Sequence, residues 1–115
     1  MDEAESKRAK ALRKKSQAHI AKAEKVLRDL SLGEMERQIE QSRLMELAFN
    51  YLAQAAIIEE DTNLLKHASE NASKWAQHCR AAATKRRNDE VPRIIEAMSD
   101  RRQWARDLLG VEEID

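Results

Sequence analysis

Three histidines, a single cysteine and a few closely spaced carboxylates are the residues of this chain whose types suit metal binding, covalent catalysis or proton transfer. His67 and His78 are eleven positions apart, which on a helix sets them on nearly one line but about 16 Å apart along the axis, too far to share an ion. His78 and Cys79 are adjacent and point about 100° apart around a helix, so they do not converge either. No Glu-x-x-His and no Glu-x-x-Glu occurs, which removes the di-metal pattern of carboxylate bundles and a paired-acid site for magnesium. Glu36 and Glu40 lie one turn apart and can in principle chelate, yet solvated acids are the commoner outcome of that spacing. His19 sits at the edge of an apolar stripe and reads as packed. Cys79 lies within a stripe with no base beside it, as an inert core thiol. Being the only cysteine, it forms no internal disulfide and suits a reducing compartment. There is no glycine-rich phosphate loop and no nucleophile elbow. The expectation is a protein that is not an enzyme and takes neither cofactor nor metal.

The charges say more. Between Lys7 and Arg28 stand nine cations, Lys7, Arg8, Lys10, Arg13, Lys14, Lys15, Lys22, Lys25 and Arg28, against one acid, Glu24. Arg8, Lys15 and Lys22 recur every seven residues as one rail, with Lys7, Lys14 and Lys25 near a second. Arg80 with Lys85, Arg86 and Arg87 forms another cluster, and Arg101, Arg102 and Arg106 a third. Such rails can follow a phosphate backbone, each contact releasing counterions and none reading sequence. The competing reading is internal neutralisation. Residues 34–70 carry eight acids against three bases, and residues 89–115 eight against four. Antiparallel neighbours of opposite sign then offset one another through exposed pairs worth about 0–1 kcal/mol each. Over the whole chain 21 basic and 21 acidic residues balance, which excludes a globally basic or globally acidic protein.

No aromatic residue interleaves with the rails, which speaks against direct single-strand binding. Ala9, Leu12 and Ser16, opposite the lysines, make too thin a wedge for a membrane surface. The candidate phosphate or acidic-partner contacts are therefore Arg8, Lys14, Lys15, Lys22, Lys25, Arg86 and Arg87. Arg101, Arg102, Trp104 and Tyr51 are the candidate anchors for a protein partner, because arginine and aromatic side chains dominate interfaces. Closing the core is the alternative role for Trp104.

Helices must position these residues. Gly33, Gly110 and Pro92 are the only glycines and proline among 115 residues, and helix formers dominate elsewhere, so the chain reads as all-α. The organising stretch is Leu65–Arg87, where Leu65, Ala68, Ala72, Trp75, Cys79 and Ala82 form an unbroken stripe, small enough at three positions for a neighbouring helix to approach closely. The predicted helices span about residues 7–30, 34–60, 64–88 and 92–109. Asp2, Glu3 and Glu5 suit a helix N-terminus, so the first can begin almost at once. Its stripe of Ala9, Leu12, Ser16, Ile20, Ala23, Leu27 and Leu30 is thin, and Gly33 is placed to end it in the left-handed cap conformation.

The second helix is apolar around more than one face between Leu44 and Ile58, as a helix with two neighbours or a second chain requires. Thr62 or Asn63 is placed to cap the third. Pro92 belongs in a first turn, with Asp89 and Glu90 suited to the same place. It opens a fourth helix with a stripe of Ile94, Ile95, Met98, Ala105, Leu108 and Leu109. Ser99-Asp100 offers a kink, Gly110 a stop, and Val111–Asp115 an acidic tail.

The expected architecture is one domain over residues 1–115, an up-down antiparallel bundle of three long helices plus a shorter, kinked fourth, with a homodimer as one way to complete the core. No apolar run approaches the roughly 20 residues that span a bilayer, and Met1–Lys10 is charged with no apolar stretch behind it. A cytoplasmic protein with no signal peptide and no membrane association is expected. The leading functional expectation is a small non-catalytic interaction protein, an adaptor or inhibitor docking on a larger intracellular machine that handles nucleic acid. In type it resembles the compact helical regulators of bacteria and their phages. The alternative is an oligomeric nucleic-acid-binding protein that contacts phosphates through its basic first helix.

Overall fold

The computed structural model describes residues 1–109, the side chains at 105 and 107–109 excepted. These residues form three helices, α1 (Glu3–Leu27), α2 (Glu34–Ile58) and α3 (Thr62–Leu109), and among them there is no strand. The chain divides into two compact units, Met1–Ala83 and Thr84–Asp115.

In the first unit, Asp2 caps α1 by accepting a 2.7 Å hydrogen bond from the Glu5 N–H at Oδ1, which supplies one of the donors that a helix start leaves unpaired. Across the following turn α2 runs back along α1. The Arg13–Glu59 ion pair and the His19–Tyr51 ring contact rise along one helix and fall along the other. That antiparallel register sets Ser16 level with Ala55 and Ala23 level with Ala48. α2 meets the first part of α3 in the same sense, through Phe49–His67 and the Cys79 Sγ 3.9 Å from the Ile39 carbonyl oxygen. Ala48, which is 0% exposed, is thereby level with Ala68, also 0% exposed.

Small side chains make this core. Its buried members are Ala9, Ser16, Ala23, Ser42, Leu44, Ala48, Ala55, Ala56, Ala68 and Ala72, and among the described residues no large side chain is fully buried. Alanine and serine in the seams let the helix backbones approach, and the larger side chains, Leu12, Ile20, Leu47, Tyr51, Leu52 and Trp75, close the flanks half-buried. Ser42 meets its hydrogen-bond requirement by donating to the Gln38 carbonyl oxygen at 2.8 Å.

Several sequence expectations change here. Gly33 does not end α1 in a left-handed conformation: α1 stops at Leu27, and Gly33 is the extended N-cap of α2 at φ −65° and ψ 159°. Leu27 and Leu30, assigned to the α1 stripe, are exposed at 45% and 86%: Leu27 is the last residue of the helix, and Leu30 lies beyond its end. Asp61, not Thr62 or Asn63, caps α3, its Oδ1 accepting from the Leu64 N–H at 3.0 Å.

In the second unit, the expected break at residues 88–92 is absent. Residues 84–109 are helical and belong to α3, so Pro92 stands inside a helix and not in the first turn of a fourth, and no fresh helix begins at Ser99-Asp100. Proline lacks the N–H that would pair with the carbonyl of Asn88, a cost of about 3 kcal/mol in a helix interior. Strong helix formers on both sides offset it, and the Arg86–Glu90 pair, one turn apart with Nε and Oε1 at 4.0 Å, spans the predicted break. The expected stop at Gly110 and the acidic tail at 111–115 lie outside the described residues.

Candidate functional site

Two exposed helix faces stand out, one in each unit. α1 turns Ala9, Ser16 and Ala23 inward, and a helix period then forces residues about half a turn away outward. Lys7, Lys14 and Lys25 fall there, with Lys10 and Arg28 beside them, and Arg8, Lys15 and Lys22 form a second row about 90° around the helix. All eight are exposed, as are Ala11 and Ala18 between the rows. Among the described residues, one ion pair joins α1 to α2: Arg13 donates to both carboxylate oxygens of Glu59, at 2.8 and 2.7 Å. Hydrogen bonds from that guanidinium hold the Glu59 carboxyl below the usual glutamate range. Lys7 meets Glu3 at 3.8 Å on the surface, and the Lys15 Nζ lies over the Tyr51 ring, 5.7 Å from its centroid. Arg8, Lys10, Lys14, Lys22, Lys25 and Arg28 make no ion pair among the described residues. Glu40 of α2 pairs with Arg43 of its own helix, and Glu59, the C-cap of α2, pairs with Arg13.

The second face lies on α3 between Arg87 and Arg102. Val91, Ile94, Ile95 and Met98 are 44%, 55%, 58% and 50% exposed. Their three- and four-residue spacing gathers them within about 100° of arc. One turn before the row, on the same side, is Arg87; one turn after it are Arg101 and Arg102, and all three are exposed. Asp89, Glu96 and Asp100 fall on the opposite side and Glu90 at its edge, so the face has an apolar centre and two cationic ends. Of this row, the sequence assigns Ile94, Ile95 and Met98 to the stripe of a fourth helix. The arginines at both ends were the available signal to the contrary, since a stripe closed by guanidinium groups within about two turns has little core to enter.

The remaining candidates are distributed around these faces. Trp104 is 65% exposed, about a third of a turn away from the apolar row. Arg86 is half-buried against Glu90. Tyr51 is half-buried in the α1–α2 seam, edge-on to His19 at 5.2 Å between ring centroids. Each histidine stands beside an aromatic ring, His67 by Phe49 and His78 by Trp75 at 5.6 Å. Cys79 is half-buried. Among the described residues, no three histidine, cysteine, aspartate or glutamate side chains are grouped to hold a metal ion, and no helix is long and apolar enough to cross a membrane. Comparison of the chain with protein-family models, with curated proteins and with solved structures finds no match.

Proposed function

We propose that this chain is a small non-catalytic interaction protein, an adaptor or inhibitor of the bacterial and phage regulator type, that docks on a larger intracellular partner through the Arg87–Arg102 face of α3. One observation carries the reading: Val91, Ile94, Ile95 and Met98 are exposed together at helical spacing with arginines at both ends. An apolar row on a helix is the element that helix-in-groove recognition uses, the side chains at i, i+3, i+4 and i+7 entering the groove. Cationic ends select the rim. The fitting partner has an apolar groove about two turns long with carboxylates at each end, so Arg87 and the Arg101–Arg102 pair gain charge-assisted contacts there. Residues 1–83, as an up-down helical support, supply the folded body.

A photo-crosslinking amino acid at Ile95 in the otherwise intact protein tests this inside cells. The expected result is one adduct with a larger protein, absent when the same group replaces Asp100 on the opposite side. An adduct of twice the chain's own mass assigns the face to a second copy and overturns the reading, as does labelling that is equal at the two positions.

A further inference from the structure

Independently of the α3 face, we infer that α1 seats in the major groove of double-stranded DNA, without regard to base sequence. The face has the shape and charge for it. A helix with its side chains is about 10–12 Å across and the B-form major groove about 12 Å wide, so a helix that enters the groove brings phosphates within reach on both sides. α1 offers cations for both walls: Lys7, Lys14 and Lys25 with Lys10 and Arg28 on one side, and Arg8, Lys15 and Lys22 on the other. Between the rows are Ala11 and Ala18, exposed and too short to hold the helix off the base edges.

The flank beyond the second row is also open. Arg8, Ala11, Leu12 and Lys15 of α1 line a shallow groove with Gln54 of α2, so two cations of that row stand at the border of an open recess. Six of these eight cations have neither an ion pair nor a ring partner among the described residues, so binding requires no internal contact of theirs to break.

The same residues narrow the ligand. The strip between the rows has no asparagine, glutamine or arginine to make a bidentate contact with a base edge, which leaves phosphate contacts without sequence readout. No aromatic side chain is available between the rows for unstacked bases, which disfavours single strands. A-form RNA has a deep, narrow major groove that excludes a helix, which disfavours duplex RNA.

Fluorescence anisotropy with the full chain tests the inference, using a labelled DNA duplex of about two turns, a second duplex of scrambled sequence, the single strand and the matching RNA duplex. Both DNA duplexes are expected to bind alike and more tightly than single strand or RNA. If six cations meet phosphates, affinity falls by about a thousandfold between about 50 and 200 mM salt. Reversal of one row, Arg8→Glu with Lys15→Glu and Lys22→Glu, is expected to lower affinity by at least about tenfold and to reduce the salt slope by about three. Ala18→Trp, at an exposed position that leaves the fold intact, is expected to block the groove and abolish the preference for duplex DNA. Absence of binding at the lower salt overturns the inference, and so does undiminished duplex binding by Ala18→Trp. Neither result touches the α3 face, whose crosslink is read separately.

Discussion

Glu60 is the one described non-glycine residue held at positive φ, 55°, and it occupies the left-handed position that follows a helix. Its N–H donates to the Ile57 carbonyl at 3.2 Å and the Asp61 N–H to that of Ala56 at 2.9 Å, the paired closure that satisfies the last carbonyls of α2. A glutamate there bears a steric cost that glycine avoids, so Glu60→Gly is expected to stabilise the protein by about 1 kcal/mol in chemical denaturation. Gly33 presents the opposite case. Its extended N-cap geometry suits Asp or Ser, no side chain makes the cap bond, and an added Cβ meets nothing within 4 Å. Gly33→Asp is expected to add about 0.5–1 kcal/mol, through the cap and a less flexible unfolded chain.

The Arg13–Glu59 pair sets a pH dependence. Because the folded state holds the Glu59 carboxyl below its unfolded range, the pair stabilises the fold above about pH 4.3, the ordinary glutamate value, and this contribution is lost as pH falls through the folded value. Arg13→Met is expected to flatten the acid side of the stability profile while leaving its shape near neutrality unchanged, as read by urea unfolding across pH. An equally steep acid limb in the variant contradicts that assignment.

At the scale of the elements, alanine decides how closely the helices pack. Ala48 and Ala55 are fully buried where α2 meets its neighbours, so Ala48→Leu is expected to overpack the seam and cost about 1–3 kcal/mol in thermal or chemical unfolding. A neutral result would mean that the backbones are not in close approach. Part of this was legible in the sequence. Ala68, Ala72, Trp75 and Cys79 keep an unbroken helical period, and the apolar breadth of α2 called for two neighbours or a second chain; Tyr51 and Phe49 of α2 meet His19 of α1 and His67 of α3.

The ends were less legible, because a single residue can start or stop a helix in more than one way. Gly33 serves an N-cap as well as a C-cap, and Asp61 competes with Thr62 and Asn63 for one bond. Pro92 misled most strongly: its local preference for a first turn lost to the helix formers around it. The exposure of Ile94, Ile95 and Met98 was not legible either, since periodicity shows that a face is apolar but not whether anything covers it. Pro92→Ala is expected to raise helix content by circular dichroism and to stabilise α3 by up to about 3 kcal/mol.

For the molecule as a whole, zero formal net charge conceals a segregated distribution. A balanced total gives little long-range steering, so recognition must come from local faces at short range. The cations of α1 were legible from spacing alone, but not whether acids on α2 would neutralise them; that depended on which side chains met, and among the described residues Arg13–Glu59 is the one ion pair between them. The central claim concerns the α3 face, and one measurement bears on it most directly: calorimetric titration of the purified crosslinked partner with the wild-type protein, with Ile95→Asp and Met98→Asp combined, and with the α1 row reversed. The account predicts that the α3 variant loses at least about a hundredfold in affinity, as removal of a central apolar anchor does, while reversal at Arg8, Lys15 and Lys22 leaves Kd within about threefold. Unchanged affinity in the α3 variant would contradict it.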